Sequence, residues 1–179
     1  VVEGTLKVVT TSEEGHDLVF STLGPGDVFG EVAVLCEGER TATVVALTDC
    51  ELVVVDRREL LAFLRSHPDA ALRLMAVLAQ RVRNLSEFVE DTHFLNLPVR
   101  LAKKLVAYAE SHGRRCAEGV RIELRLSQEE WGDLVGATRE SINKQMRAWT
   151  DQGLIRVDHG CVVLLRPEAL EALAGSPIV

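Results

Sequence analysis

Between Pro68 and Phe94 the positions Met75, Leu78, Val82, Leu85, Val89 and Thr92 recur at alternating spacings of three and four, and no glycine or further proline interrupts the run. That is the a/d repeat of a helix sending one narrow seam to a partner helix, and it predicts one helix over 68–94. No second stretch of the chain carries this repeat. The simplest partner is therefore the same segment of another copy about a two-fold axis, which predicts a homodimer. An amphipathic helix lying on its own domain gives a similar pattern over three heptads.

Before this helix the period shortens. Leu6, Val8 and Val9, then residues 18–23, 44–47 and 51–55, form short β-branched-rich runs separated by Ser12-Glu13-Glu14-Gly15, Gly24-Pro25-Gly26-Asp27 and Thr48-Asp49. These runs predict an all-β unit, a roll or barrel. Val1 already reads as part of a strand, so the beginning of the natural protein is expected to be missing.

After the long helix, Asn96 and Pro98 mark a new start, with Asn96 as cap and Pro98 in the first turn. A helix over 98–112 is expected, with Leu101, Leu105 and Val106 inward and Gly113 closing it. Val120, Ile122, Leu124 and Leu126 then alternate as a strand. Ser127-Gln128-Glu129-Glu130 is a capping box, with Leu126 and Trp131 placed as its hydrophobic staple. The helix it starts ends near Val135-Gly136, and Thr138 caps a second helix ending at Gly153. Two helices around so short a glycine-containing turn form a helix-turn-helix. Residues 154–157 and 161–165 about Asp158-His159-Gly160 predict a hairpin wing, and 167–174 a terminal helix. The domains expected are 1–67, 68–95 as the linking helix, and 96–179, an α+β organisation.

Composition narrows the function. Net charge is −7, which alone disfavours nucleic acid, but the two halves differ. Residues 1–94 hold 8 basic and 16 acidic side chains, whereas 95–179 hold 12 and 11. Any DNA binding must then rest on particular contacts rather than on overall attraction. Cys36, Cys50, Cys116 and Cys161 lack CxxC spacing, the usage of a reduced cytoplasmic protein. The five histidines lack ligand spacing, so no metal is expected. No apolar run approaches the ~18 to 20 residues a spanning helix requires, so no membrane partner is expected. No nucleophile, base and orienting group stand together, so no enzyme is expected.

Two strings carry chemistry. In Phe29-Gly30-Glu31-Val32-Ala33-Val34-Leu35, followed by Arg40-Thr41-Ala42-Thr43, a helical turn opening after Gly30 aims backbone N–H groups outward. Arg40 adds a bidentate cation, Thr41 a hydroxyl, and Glu31 an acceptor for a sugar hydroxyl. The set suits a phosphate joined to a ribose; an Arg–Glu ion pair closing a barrel is the plainer alternative. In the second helix of the helix-turn-helix, Ile142, Met146 and Trp149 share one face, and Arg139, Glu140, Asn143, Lys144 and Arg147 the opposite one. Arg and Lys can donate to guanine O6 and N7, and Glu can accept from cytosine N4. Gln128, Thr138 and Ser141 are candidates for phosphate contacts, which position without specifying sequence.

The string FGEVAVLCEGERTATVVA resembles the phosphate-binding cassette of the cyclic-AMP receptor protein/FNR family of bacterial transcription regulators, and GATRESINKQM resembles that family's reading helix. The resemblance covers essentially the whole chain apart from the family's opening helix and first strands. It implies a β-roll effector domain, a dimerisation helix and a winged helix-turn-helix. It also implies that Gly30, Glu31, Arg40 and Thr41, with the Ala42 N–H, hold the phosphate and ribose of cyclic AMP or another cyclic nucleotide. Arg139, Glu140 and Lys144 fall on the positions that read GTGA-type half-sites, with Lys144 in place of the usual arginine, and RNA polymerase is implied as a partner. Where cyclic-AMP-responsive members carry a threonine and a polar residue on the long helix, this chain has Leu85-Ser86. Ser86 at the flank and Arg81 about one turn earlier remain within reach of a base. The expectation is a dimeric, nucleotide-gated DNA-binding regulator. A family member that needs no effector, and a nucleotide-binding module acting on a protein partner, are the alternatives.

Overall fold

In the computed structural model, which describes residues 1–13, 17–36 and 38–175, the chain packs as two units, Val1–Val89 and Glu90–Val179. The predicted turn at Ser12-Glu13-Glu14-Gly15 falls partly outside the described residues.

In the first unit β1 (Leu6–Thr11) pairs antiparallel with β2 (Asp17–Leu23) on one side and β3 (Thr43–Ala46) on the other. Leu6, Val9, Val19 and Leu23 are buried, and the spacing of three between Leu6 and Val9 departs from strict strand alternation. The register shifts between Val8 and Val9, which pair with Ser21 and Val19 and leave Phe20 of β2 as the extra residue of a bulge. Gly24-Pro25-Gly26-Asp27 forms the expected turn, with Gly24 N donating to Asp27 Oδ2 at 2.7 Å and Asp27 N to Gly24 O at 3.1 Å.

Two strand expectations fail here. Val1 lies outside any strand, and residues 51–55 form none beyond an isolated bridge between Glu3 and Glu51. Val53, Val54 and Val55 are exposed; β-branched residues favour extended backbone, but none of the described strands pairs with them.

Three helices follow: α1 (Glu31–Leu35), α2 (Arg57–Ser66) and α3 (Pro68–Phe94). The bounds of α3 are those expected from the uninterrupted run Pro68–Phe94. Helix α2 is not among the expected elements, and Asp56 caps it by accepting from Arg58 N at 2.8 Å. Along α3 the seam is uncovered in one chain: Met75 is 55%, Val82 66%, Leu85 49% and Val89 49% exposed.

The second unit is built on α4 (Leu97–His112), α5 (Gln128–Val135), α6 (Arg139–Asp151) and α7 (Pro167–Ala174), with a sheet in the order β4-β5-β7-β6. Its strands are β4 (Gly113–Cys116), β5 (Gly119–Ile122), β6 (Ile155–Asp158) and β7 (Cys161–Leu164), all antiparallel. Leu101, Leu105, Ile122, Ile142, Ile155, Leu164 and Leu170 are completely buried, each stabilising the fold by roughly 1.5–3 kcal/mol. The strand expected through Leu126 stops at Ile122, because Leu124 and Leu126 are buried without ladder partners. The edge strand β4, Gly-Arg-Arg-Cys, was not expected, since no apolar alternation marks it.

Candidate effector site and nucleic-acid interface

Gly30 is the N-cap of α1 at φ +81, a conformation any L side chain adopts only with strain. A Cβ built there would lie 2.2 Å from Arg40 Nη1, and that nitrogen donates to Gly30 O at 3.4 Å. The bare backbone thus lets the guanidinium approach. Glu31, in the first turn of α1, is only 3% exposed. Arg81 of α3 donates to its Oε1 through Nη1 and to Val28 O through Nη2.

Glu31 Oε2 is buried and has no hydrogen-bond partner. An unsatisfied buried carboxylate oxygen is costly, and it is the acceptor that a hydroxyl-bearing ligand would satisfy. The structure therefore brings together four of the expected residues: Gly30, Glu31, Arg40 and Arg81. Thr41 and Ala42 are exposed immediately before β3. Ser86 is exposed on α3, and its hydroxyl donates back to Val82 O at 3.1 Å. Val28 O, which the sequence reading missed, carries no side-chain signal by which it could have been found.

The helix-turn-helix is assembled by caps. Ser127 Oγ accepts from Glu130 N at 3.2 Å while Glu130 Oε2 accepts from Ser127 N at 2.7 Å, both halves of the expected box. Leu126 and Trp131, the expected staple, are both buried. Gly136 ends α5 at φ +67. Gly132 lets the turn fold tightly, because a Cβ there would meet Ala137 O at 2.5 Å. Thr138 caps α6, accepting from Ser141 N at 3.3 Å, with its hydroxyl 2.9 Å from that of Ser141.

Ile142, Met146 and Trp149 are buried, which orients α6. Arg139, Glu140, Lys144 and Arg147 are exposed and Asn143 and Ser141 half-buried, with Gln128 half-buried at the start of α5. No hydrogen bond or ion pair among the described residues engages the side chains of Arg139, Lys144 or Arg147. Arg139, Lys144 and Arg147 are thus uncommitted donors on a helix seated by Ile142, Met146 and Trp149.

At the wing, Arg121 Nη1 donates to Asp158 Oδ2 at 2.8 Å, and His159 Nδ1 approaches Asp158 Oδ1. The hydrogen bond from Arg121, then that from His159, holds the Asp158 carboxyl below its ordinary range. Among the described residues no histidine, cysteine or carboxylate cluster could hold a metal ion, and no helix is long and apolar enough to cross a membrane.

Comparison with known proteins agrees with both halves. The cyclic nucleotide-binding domain family matches residues 1–67, and the Crp-like helix-turn-helix domain family matches residues 99–173. The chain is similar to a CRP-like cAMP-activated global transcriptional regulator of Mycobacterium tuberculosis, 31% identical over 170 residues, covering 95% of this chain and 76% of that protein. It is similar to a cyclic AMP receptor protein of Thermus thermophilus, 33% identical over 174 residues, covering 97% of this chain and 77% of that protein. Its fold is similar to the crystal structure of a CRP/FNR-family transcriptional regulator from Thermus thermophilus, with a TM-score of 0.83 at 26% identity over 98% of this chain and 86% of that one. With a nucleotide-binding fold, a capped helix-turn-helix and relatives of this kind, the chain belongs to the cyclic-AMP receptor protein/FNR family of transcription regulators, which are not enzymes.

Proposed function

We propose that two copies of this chain, paired along the α3 seam, bind palindromic GTGA-type DNA in the cytoplasm under the control of a cyclic nucleotide, with cyclic AMP the first to test. The observation that carries the nucleotide is Glu31 Oε2, a buried acceptor without a donor beside the Gly30 and Arg40 cradle. A ribose hydroxyl would satisfy that oxygen. Arg40, Thr41 and the N–H groups of Ala42 and of the first turn of α1 would hold the cyclic phosphate. Arg81 and Ser86 would lie toward the base. Relatives described as cAMP-activated support the choice of nucleotide.

For DNA the support is the free-donor face of α6, where Arg139, Glu140 and Lys144 would read base edges and Asn143 and Arg147 would flank them. Gln128, Thr138 and Ser141 would hold phosphates. The half-site separation is carried over from helix-turn-helix dimers, the catabolite activator of this same family among them: roughly 34 Å between successive major grooves. Ligand gates such binding only through different affinities for two arrangements of the dimer. RNA polymerase is a further partner in this reading, supported by relatives named as transcriptional regulators. Mobility-shift titration on a GTGA palindrome tests the reading. Tighter binding with cyclic AMP present supports it, and equal affinity with and without any cyclic nucleotide contradicts the gating.

A further inference from the structure

Only Leu95 and Asn96 separate α3 from α4, and the last carbonyls of a helix have no donors of their own. Two carbonyls at this junction, those of Thr92 and Leu95, accept from one nitrogen of α4, Arg100 Nη1, at 3.0 and 3.3 Å. The other arm of the same guanidinium, Nη2, donates to Gly136 O at 3.2 Å. Gly136 is the residue that ends α5 and opens the turn into α6. One turn along α4, Lys103 Nζ donates to both carboxylate oxygens of Asp91, at 2.7 and 2.6 Å. All of these residues lie in the unit Glu90–Val179.

A guanidinium presents its donors in a fixed planar fork. It keeps all three bonds only while the end of α3 and the α5–α6 turn hold their spacing. Lysine, with one nitrogen on a flexible stem, cannot reach both. Arg100 is in neither candidate contact set, yet it joins the helix carrying Arg81 to the turn that seats the reading helix. The Lys103–Asp91 pair, with side chains 41% and 27% exposed, is the weaker second tie, because solvent screens such pairs.

We infer that Arg100 is a positioning residue that ties the end of α3 to the α5–α6 turn, so that a rearrangement of α3 is passed to α6 instead of being absorbed at residues 95–96. This rests on the nucleotide-gated reading above. Arg100→Lys keeps the charge and removes the fork. Hydrogen exchange on the full chain should quicken at both 92–97 and 135–138 in this variant while the β6–β7 hairpin is unchanged; unchanged exchange at either end of the clamp overturns the inference.

The second readout is the ratio of duplex affinities with and without cyclic AMP. R100K should shrink that ratio by about tenfold, whereas Asp91→Asn, which keeps the fork, should leave it within about twofold. A merely structural arginine would lower thermal stability and leave the ratio alone, and that result also overturns the inference. Should the unmodified protein ignore the duplex, the functional reading falls, and the exchange experiment still decides the clamp.

Discussion

Arg81 and Glu31 lie 50 residues apart in sequence, yet the Arg81 guanidinium donates to one oxygen of the Glu31 carboxylate while the other oxygen is left without a partner. The long helix is thereby tied to the first turn of α1, and one acceptor is held in reserve. The ion pair orients the carboxylate. An Arg–Glu pair, the plainer reading of this cassette, is therefore present, but the glutamate's partner is Arg81 and not Arg40.

Replacing Glu31 with Gln keeps the shape and removes the charge. Hydrogen bonds to charged groups contribute roughly 1.5–3 kcal/mol, so E31Q should weaken cyclic AMP binding by about ten- to a hundredfold by calorimetry. Unchanged affinity would remove Glu31 from the site.

The α3 seam exposes Val82 and Leu85 in a single chain. If it pairs with its own copy, Val82→Glu places a charge in the interface twice per dimer. Each buried apolar side chain is worth about 1.5–3 kcal/mol, so the dissociation constant of the dimer should rise by at least about a hundredfold. Sedimentation velocity reads this directly, and an unmodified protein that sediments as a monomer at micromolar concentration contradicts the pairing.

Arg139→Ala should weaken binding to the GTGA palindrome by roughly 1–3 kcal/mol and relax preference at one base pair. Gln128→Ala should weaken all duplexes alike, as a lost phosphate contact does. Anisotropy titrations over a panel of single-base changes separate the two patterns.

Burial holds the His112 imidazole below its ordinary value of 6.5. The unfolded chain then takes up the proton more readily than the native one, so stability present above 6.5 is lost as pH falls from there toward the native value. Asp158, held below its ordinary 3.8 by Arg121 and His159, contributes stability above that value and loses it in stronger acid. Urea unfolding followed by Trp131 and Trp149, both buried in the second unit, should show lower stability at pH 5.5 than at 7.5. His112→Asn should flatten that difference.

Signals that repeat or that sit within four residues of each other were readable before the structure. The uninterrupted run after Pro68 marked α3 and its a/d repeat marked one pairing face, and the Ser127–Glu130 box, the Thr138 cap and Gly136 marked the helix-turn-helix. Pairing across the chain was harder to read. Valines 53–55 look like a strand, but strand formation depends on a neighbour, and none of the described strands pairs with them. In α2 the cap at Asp56 was present, but Arg57 and Arg58 precede the apolar face and hide its start. Gly30, Glu31 and Arg40 were legible as a string, and Arg81 was expected near a base, yet its bond to Glu31 crosses 50 residues. Arg100 acts on backbone carbonyls, which no side-chain pattern announces.

The most direct measurement is the sedimentation of a labelled GTGA palindrome with increasing protein, with and without cyclic AMP. The account predicts a complex of two chains per duplex that forms at much lower protein concentration when the nucleotide is present. A complex of one chain per duplex, or one formed equally well on scrambled DNA and without nucleotide, would contradict it.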